Sequence, residues 1–152
     1  MAKLDDASWH LGGDEFPEDA PDENASTHIG MFMAWAIHND LWGQVPGSDW
    51  SEPVALVRNR TITGRIFVLK QCDGKLFSEM LNAKGAPFAE NYYPRYLGDF
   101  QRALTVGLKS DYFVPDTWDN YDRMAKVLTA KYKKPLPLTK EKPWWKIWSA
   151  PG

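Results

Sequence analysis

The residues best equipped for chemistry are Asp5, Asp6, His10 and Asp14, gathered in one short acidic stretch, with His28 on the segment that follows. Carboxylate oxygens and imidazole nitrogens can together hold a cation, or serve as acid and base in proton transfer. An acidic loop also brings carboxylates near a histidine by chance, so this pattern alone assigns no metal and no catalytic residue. His28 and His38 make poor joint ligands, because they point in different directions and lie about 15 Å apart along a helix axis. Cys72 is the single cysteine, which excludes an intramolecular disulfide and a zinc ribbon. A lone cysteine beside an apolar run reads as buried and inert. Arg58, Arg60 and Arg65 could contact phosphate, although arginines in a mixed-charge region also serve as ordinary surface residues. The sequence carries no phosphate-binding loop, dinucleotide fingerprint, zinc-protease helix, nucleophile elbow or calcium loop.

The element that must position these groups is the stretch 26–42, STHIGMFMAWAIHNDLW. At about 100° per residue, Ile29, Phe32, Met33, Ala36, Ile37 and Leu41 share one face, a stripe wide enough to face a core. Asn24, Ser26 or Thr27 can cap its start, and Gly43 supplies a stop after Trp42. The opposite face carries His28, Met31, Trp35, His38, Asn39 and Trp42. That face is either a ligand or partner surface, since Trp is enriched at binding hot spots, or the second side of a helix buried all round.

Composition bounds the rest. The 152 residues are 43% hydrophobic and 25% charged, as in a globular chain of one domain. A net charge of −2 provides no global field for nucleic acid or membrane. The charge is unevenly placed: residues 1–24 hold eight acids against Lys3 alone, and residues 131–152 hold six lysines against Glu141. No secretory signal or membrane-spanning run is present, which predicts a cytoplasmic location.

Gly12, Gly13, Pro17 and Pro21 predict a loop over residues 1–24, anchored by Leu4, Trp9, Leu11 and Phe16 and running over the central helix. A short helix is expected from Ser51 to about Arg60. Residues 64–72 hold an apolar run that fits either helix or strand; helix is favoured because no partner strand is evident. Asp73-Gly74 marks a turn, and a short helix is expected around Phe77–Leu81. Gly85 and Pro87 break the pattern, and Pro94 divides two further helical pieces. Phe88, Tyr92, Tyr96 and Phe100 form a core-type stripe along them. Residues 105–115 read as a loop, and Asp116 or Thr117 caps a last long helix. From Pro135 the chain reads as an extended tail whose Trp144, Trp145, Ile147 and Trp148 either dock on the protein or anchor it to a partner or a membrane surface.

DDASWHLGGDEFPEDAP followed by THIGMFMAWAI, then CDGKL, FAENYY and DTWDNYDRM, resembles a family of small bacterial proteins of unknown function over roughly residues 4–132. The resemblance implies accessory or immunity-type proteins that accompany toxins, and it carries over no catalytic residue. The matching positions include Asp5, Asp6, Trp9, His10, His28 and Trp35, which implies that the N-terminal loop folds onto the central helix.

These readings predict a mainly α, single-domain helical bundle over residues 1–134, built around a central buried helix, with a Pro/Lys/Trp-rich tail at 135–152. The expected function is non-catalytic binding of a protein partner, a toxin on the resemblance, through Asp6, Trp9, His10, Asp14, His28, Trp35 and Asn39. No cofactor, metal or nucleic acid is expected. The alternative is a ligand-binding, metal-binding or enzymatic pocket between the N-terminal loop and the central helix, with Asp6, His10 and His28 as acid, base or ligand groups.

Overall fold

The computed structural model describes residues 2–134. In chain order these form β1 (Lys3–Asp6), α1 (Ala7–Leu11), α2 (Thr27–His38), α3 (Ser51–Arg58), α4 (Gly64–Gln71), β2 (Lys75–Phe77), α5 (Gly85–Leu104) and α6 (Trp118–Lys133). Single 3-10 turns fill Asp22–Ser26, Ser78–Met80 and Asp111–Phe113. The fold is mainly α, as expected. The tail 135–152, with the docking of Trp144, Trp145, Ile147 and Trp148, lies outside the described residues.

Every residue of α2 from Thr27 to Ile37 is buried, so both of its faces belong to the core. The mixed face is satisfied internally. The Trp35 indole N–H donates to Thr129 Oγ1 at 3.0 Å, and the Asn39 amide donates to the Trp35 carbonyl at 2.8 Å. The helix stops at His38, short of the Gly43 stop read from the sequence. Asp40 takes a left-handed φ of 56°, which lets the Leu41 N–H close on the Ala36 carbonyl at 2.8 Å. Asp tolerates that conformation better than most residues with a Cβ, so no glycine is needed.

Residues 64–72 are helical through Gln71, and Thr63 caps α4 by accepting from the Ile66 N–H at 3.3 Å. α4 crosses α2 at backbone contact distance. A Cβ on Gly64 would stand 1.8 Å from the Gly30 carbonyl oxygen, and one on Gly30 would stand 2.2 Å from the Arg65 nitrogen. Only hydrogen fits between these two helices.

Three local expectations change. The N-terminal segment is structured: β1 pairs antiparallel with β2, with Lys3 opposite Phe77 and Asp5 opposite Leu76, and α1 follows directly. The segment 77–81 contributes the end of β2 and a 3-10 turn in place of a helix. Residues 85–104 form one continuous helix through Pro94. Pro94 and Glu90, whose carbonyl loses its helical partner, both lie on the exposed face. Water can bond that carbonyl, so the break stays local. The helix begins where the Asn82 side chain accepts from the Lys84 and Gly85 N–H groups at 3.0 and 2.9 Å.

Phe88, Tyr92, Tyr96 and Phe100 on α5 are buried, and Phe32 of α2 meets the Phe88, Tyr93 and Tyr96 rings at centroid distances of 6.4, 5.1 and 5.3 Å. α6 closes the bundle from its expected Thr117 cap. No described helix is long and apolar enough to cross a membrane.

Candidate functional site

β1 carries two adjacent carboxylates with different tasks. A bulge between Lys3 and Asp5 disturbs the alternation of the strand, and Asp5 and Asp6 are both buried. Bulges re-aim side chains in this way. Asp6 turns to its own chain: it caps α1 by accepting from the Ser8 N–H at 2.9 Å and pairs with Lys3 at 2.7 Å. Asp5 turns inward.

The Asp5 carboxylate accepts four hydrogen bonds. The Asp6 N–H and His10 Nε2 reach Oδ1, each at 2.8 Å, and His28 Nε2 and the Tyr93 hydroxyl reach Oδ2 at 2.9 and 2.7 Å. An ionised carboxylate can only accept, so each facing imidazole nitrogen carries a hydrogen. A neutral His10 ring then accepts at Nδ1 from the Tyr112 hydroxyl, 2.6 Å away. The two imidazoles meet edge to face with centroids 4.5 Å apart, and Tyr112 packs edge-on to both. Phe16 lies against Tyr112 at 4.9 Å, which brings the acidic loop over the cluster. α1 holds His10, α2 holds His28, α5 holds Tyr93 and the Asp111–Phe113 turn holds Tyr112. Asp5, His10 and His28 meet between the N-terminal segment and α2.

The electrostatics follow from this arrangement. Burial pushes the Asp5 carboxyl upward, but the bonds from His10, His28 and Tyr93 outweigh it and hold the group well below the usual carboxylate range. Burial drives the Tyr112 phenol up to about 12 and the Tyr93 phenol well above its ordinary value, so both remain donors near neutrality.

Of the residues singled out in the sequence, the fold brings Asp5, His10 and His28 together, Asp5 from outside the set expected to bind the partner. Asp6 caps α1, Trp9 is exposed, Asp14 lies on the exposed loop, Trp35 is buried and bonds Thr129 of α6, and Asn39 closes on the end of α2. Tyr93 and Tyr112, which the sequence did not single out, complete the cluster. One local signal separates the two acids: Asp6-Ala7-Ser8 has the spacing of an aspartate bonding the N–H two residues on, which leaves Asp5 free to point inward.

The model of the domain of unknown function DUF7832 matches residues 3–114. The chain belongs to this family. The DUF7832 span contains Asp5, His10, His28, Tyr93 and Tyr112 and ends before α6. No curated protein and no solved structure matches the chain.

The remaining chemical candidates are engaged elsewhere. Arg58 pairs with Asp40, Arg60 with Asp122 at 2.7 Å, and Arg65 with Glu23 at 2.8 Å and Asp116 at 3.3 Å. His38 bonds the Tyr121 hydroxyl at 2.7 Å and the Val57 carbonyl at 3.1 Å, apart from the other two histidines. Cys72 is buried, and burial pushes its thiol up to about 12. A disulfide-exchange reagent is therefore expected to label it at least tenfold slower in the native protein than in denaturant. Equal rates would show that the thiol is open to solvent.

Proposed function

We propose that the protein acts by binding a basic protein partner through its acidic N-terminal surface, as an immunity-type protein covering a toxin would. The supporting observation is a pair of exposed apolar side chains beside acids that lack a basic neighbour. Trp9 and Leu11 on α1 are 55% and 39% exposed. Lys3 answers Asp6, Lys109 lies 3.7 Å from Asp19, and Arg65 answers Glu23. Asp14, Glu15, Glu18 and Asp22 are exposed and form no ion pair with a described residue. A half-exposed tryptophan supplies contact area at low entropic cost, and the surrounding acids steer a cationic partner toward it. The acids are held on a built surface, because Phe16 and the Tyr112 turn fix the loop from beneath.

The test is association with a basic, nuclease-like toxin co-expressed with the full chain. Neutralising Asp14, Glu15, Glu18 and Asp22 to their amides is expected to slow association by about tenfold or more and to flatten its salt dependence. Trp9→Ala is expected to speed dissociation instead. If association is salt-independent and neither variant alters it, the acidic surface is not the binding face.

A further inference from the structure

We infer that Asp5, His10 and His28 form a site for one divalent transition metal, with the two imidazole Nε2 atoms and one Asp5 oxygen as ligands. This goes beyond the acidic docking surface and does not depend on it. The three ligand atoms lie within 4.8 Å of one another. Two imidazoles and one carboxylate form a donor set suited to zinc, iron or cobalt, and poorly suited to calcium or magnesium.

The surroundings of His10 are those that a ligating histidine needs. The far nitrogen of His10 lies 2.6 Å from the Tyr112 hydroxyl, an outer contact that holds the ring in either tautomer because a hydroxyl can donate or accept. Asp5 keeps two bonds that no metal would disturb, from the Asp6 N–H to Oδ1 and from the Tyr93 hydroxyl to Oδ2. These hold the carboxylate in place while one remaining lone pair turns to the ion.

The geometric change is small. His10 Nε2 now stands 2.8 Å from Asp5 Oδ1 and His28 Nε2 stands 2.9 Å from Oδ2, so the two imidazoles hold different oxygens of one carboxylate. Tetrahedral bonds of about 2.0–2.1 Å place neighbouring ligands roughly 3.3 Å apart, so donor atoms already within 4.8 Å of one another need only small side-chain rotations to take the ion. The protons balance without release: each neutral imidazole moves its hydrogen from Nε2 to Nδ1, where in His10 it is donated to the Tyr112 oxygen. The fourth position falls to water, and the part-exposed edge of His10 offers its way in.

The chain has only three histidines, so one experiment reads all of them. The full chain, stripped with chelator, is titrated with zinc while long-range proton–nitrogen spectra follow each imidazole. His10 and His28 are expected to change from the Nε2–H to the Nδ1–H form at one equivalent, and His38 to remain unchanged. Cobalt in place of zinc should give intense visible bands that His10→Ala abolishes, and Tyr112→Phe should weaken binding by about 10–100-fold. Unchanged His10 and His28 spectra would overturn the inference. So would cobalt bands that persist in His10→Ala, since the ion would then sit elsewhere. If that variant fails to fold, the wild-type imidazole spectra decide alone.

Discussion

Gly64→Ala is expected to unfold the protein or to lower its melting temperature by about 10 °C or more. Overpacking a core commonly costs about 1–3 kcal/mol, because neighbouring side chains rotate or shift to make room. Here the added methyl group meets the Gly30 carbonyl oxygen at 1.8 Å, and the backbone of a buried helix cannot turn aside. Relief requires α2 and α4 to separate, which opens contacts along the whole central helix. A cost of about 3 kcal/mol or more follows, against a total stability of about 5–15 kcal/mol for an ordinary domain. At about 2–4 °C per kcal/mol for a chain of this size, the melting shift is large. Gly98→Ala is the control. A Cβ there meets only the end of the Arg102 side chain at 3.7 Å. That variant should be about 0.5–1 kcal/mol more stable than wild type, as alanine in a helix interior is favoured over glycine. Denaturant midpoints compare the three proteins directly, and an unchanged midpoint for Gly64→Ala would refute the close crossing.

Asp5→Asn should cost nearly as much, about 3–5 kcal/mol, because it breaks a buried charged network from its centre. An amide cannot accept all four bonds, and its own NH2 would face a donor among His10, His28, Tyr93 and the Asp6 N–H. The same network sets the response to acid. Asp5 has a native pKa below that of the unfolded chain, so its contribution is complete above the unfolded value of about 3.9. It is lost as the pH falls from there through the native pKa. His38 adds an earlier loss with the same sign: burial lowers its pKa, and its stabilising effect declines as the pH falls below about 6.5. Acid unfolding should therefore be steepest below about pH 4 in the wild type. Asp5→Asn should flatten that lower limb and leave the upper one. If the two pH–stability curves run parallel below pH 4, Asp5 does not carry the acid response.

The sequence reveals most where structure is encoded locally. The periodicity of α2, the Thr117 cap and the four-residue aromatic stripe of α5 all agree with the fold. The residues that escaped depend on distant partners. Lys3–Asp6 has no alternation of its own and becomes a strand only because residues 75–77 lie alongside it. The continuity of α5 turns on whether water can reach the Glu90 carbonyl, which no local pattern states. The same division runs through the candidate site. His10 and His28 draw attention by residue type, whereas choosing Asp5 over Asp6 requires knowing which acid is occupied by the α1 cap. Tyr93 and Tyr112 look like any other aromatic residues until the fold brings them to Asp5 and His10.

The separation of these partners along the chain also sets an order of events on the ribosome. Asp5 is made 88 residues before Tyr93, and His10 is made 102 residues before Tyr112. At about 5–20 residues per second, roughly 4–18 seconds pass between the synthesis of Asp5 and that of its phenol partner. Through that interval only the Asp6 N–H, His10 and His28 can reach the Asp5 carboxylate, and no phenol donates to it. The cluster around Asp5 therefore gains its two phenol groups only when most of the chain has been translated.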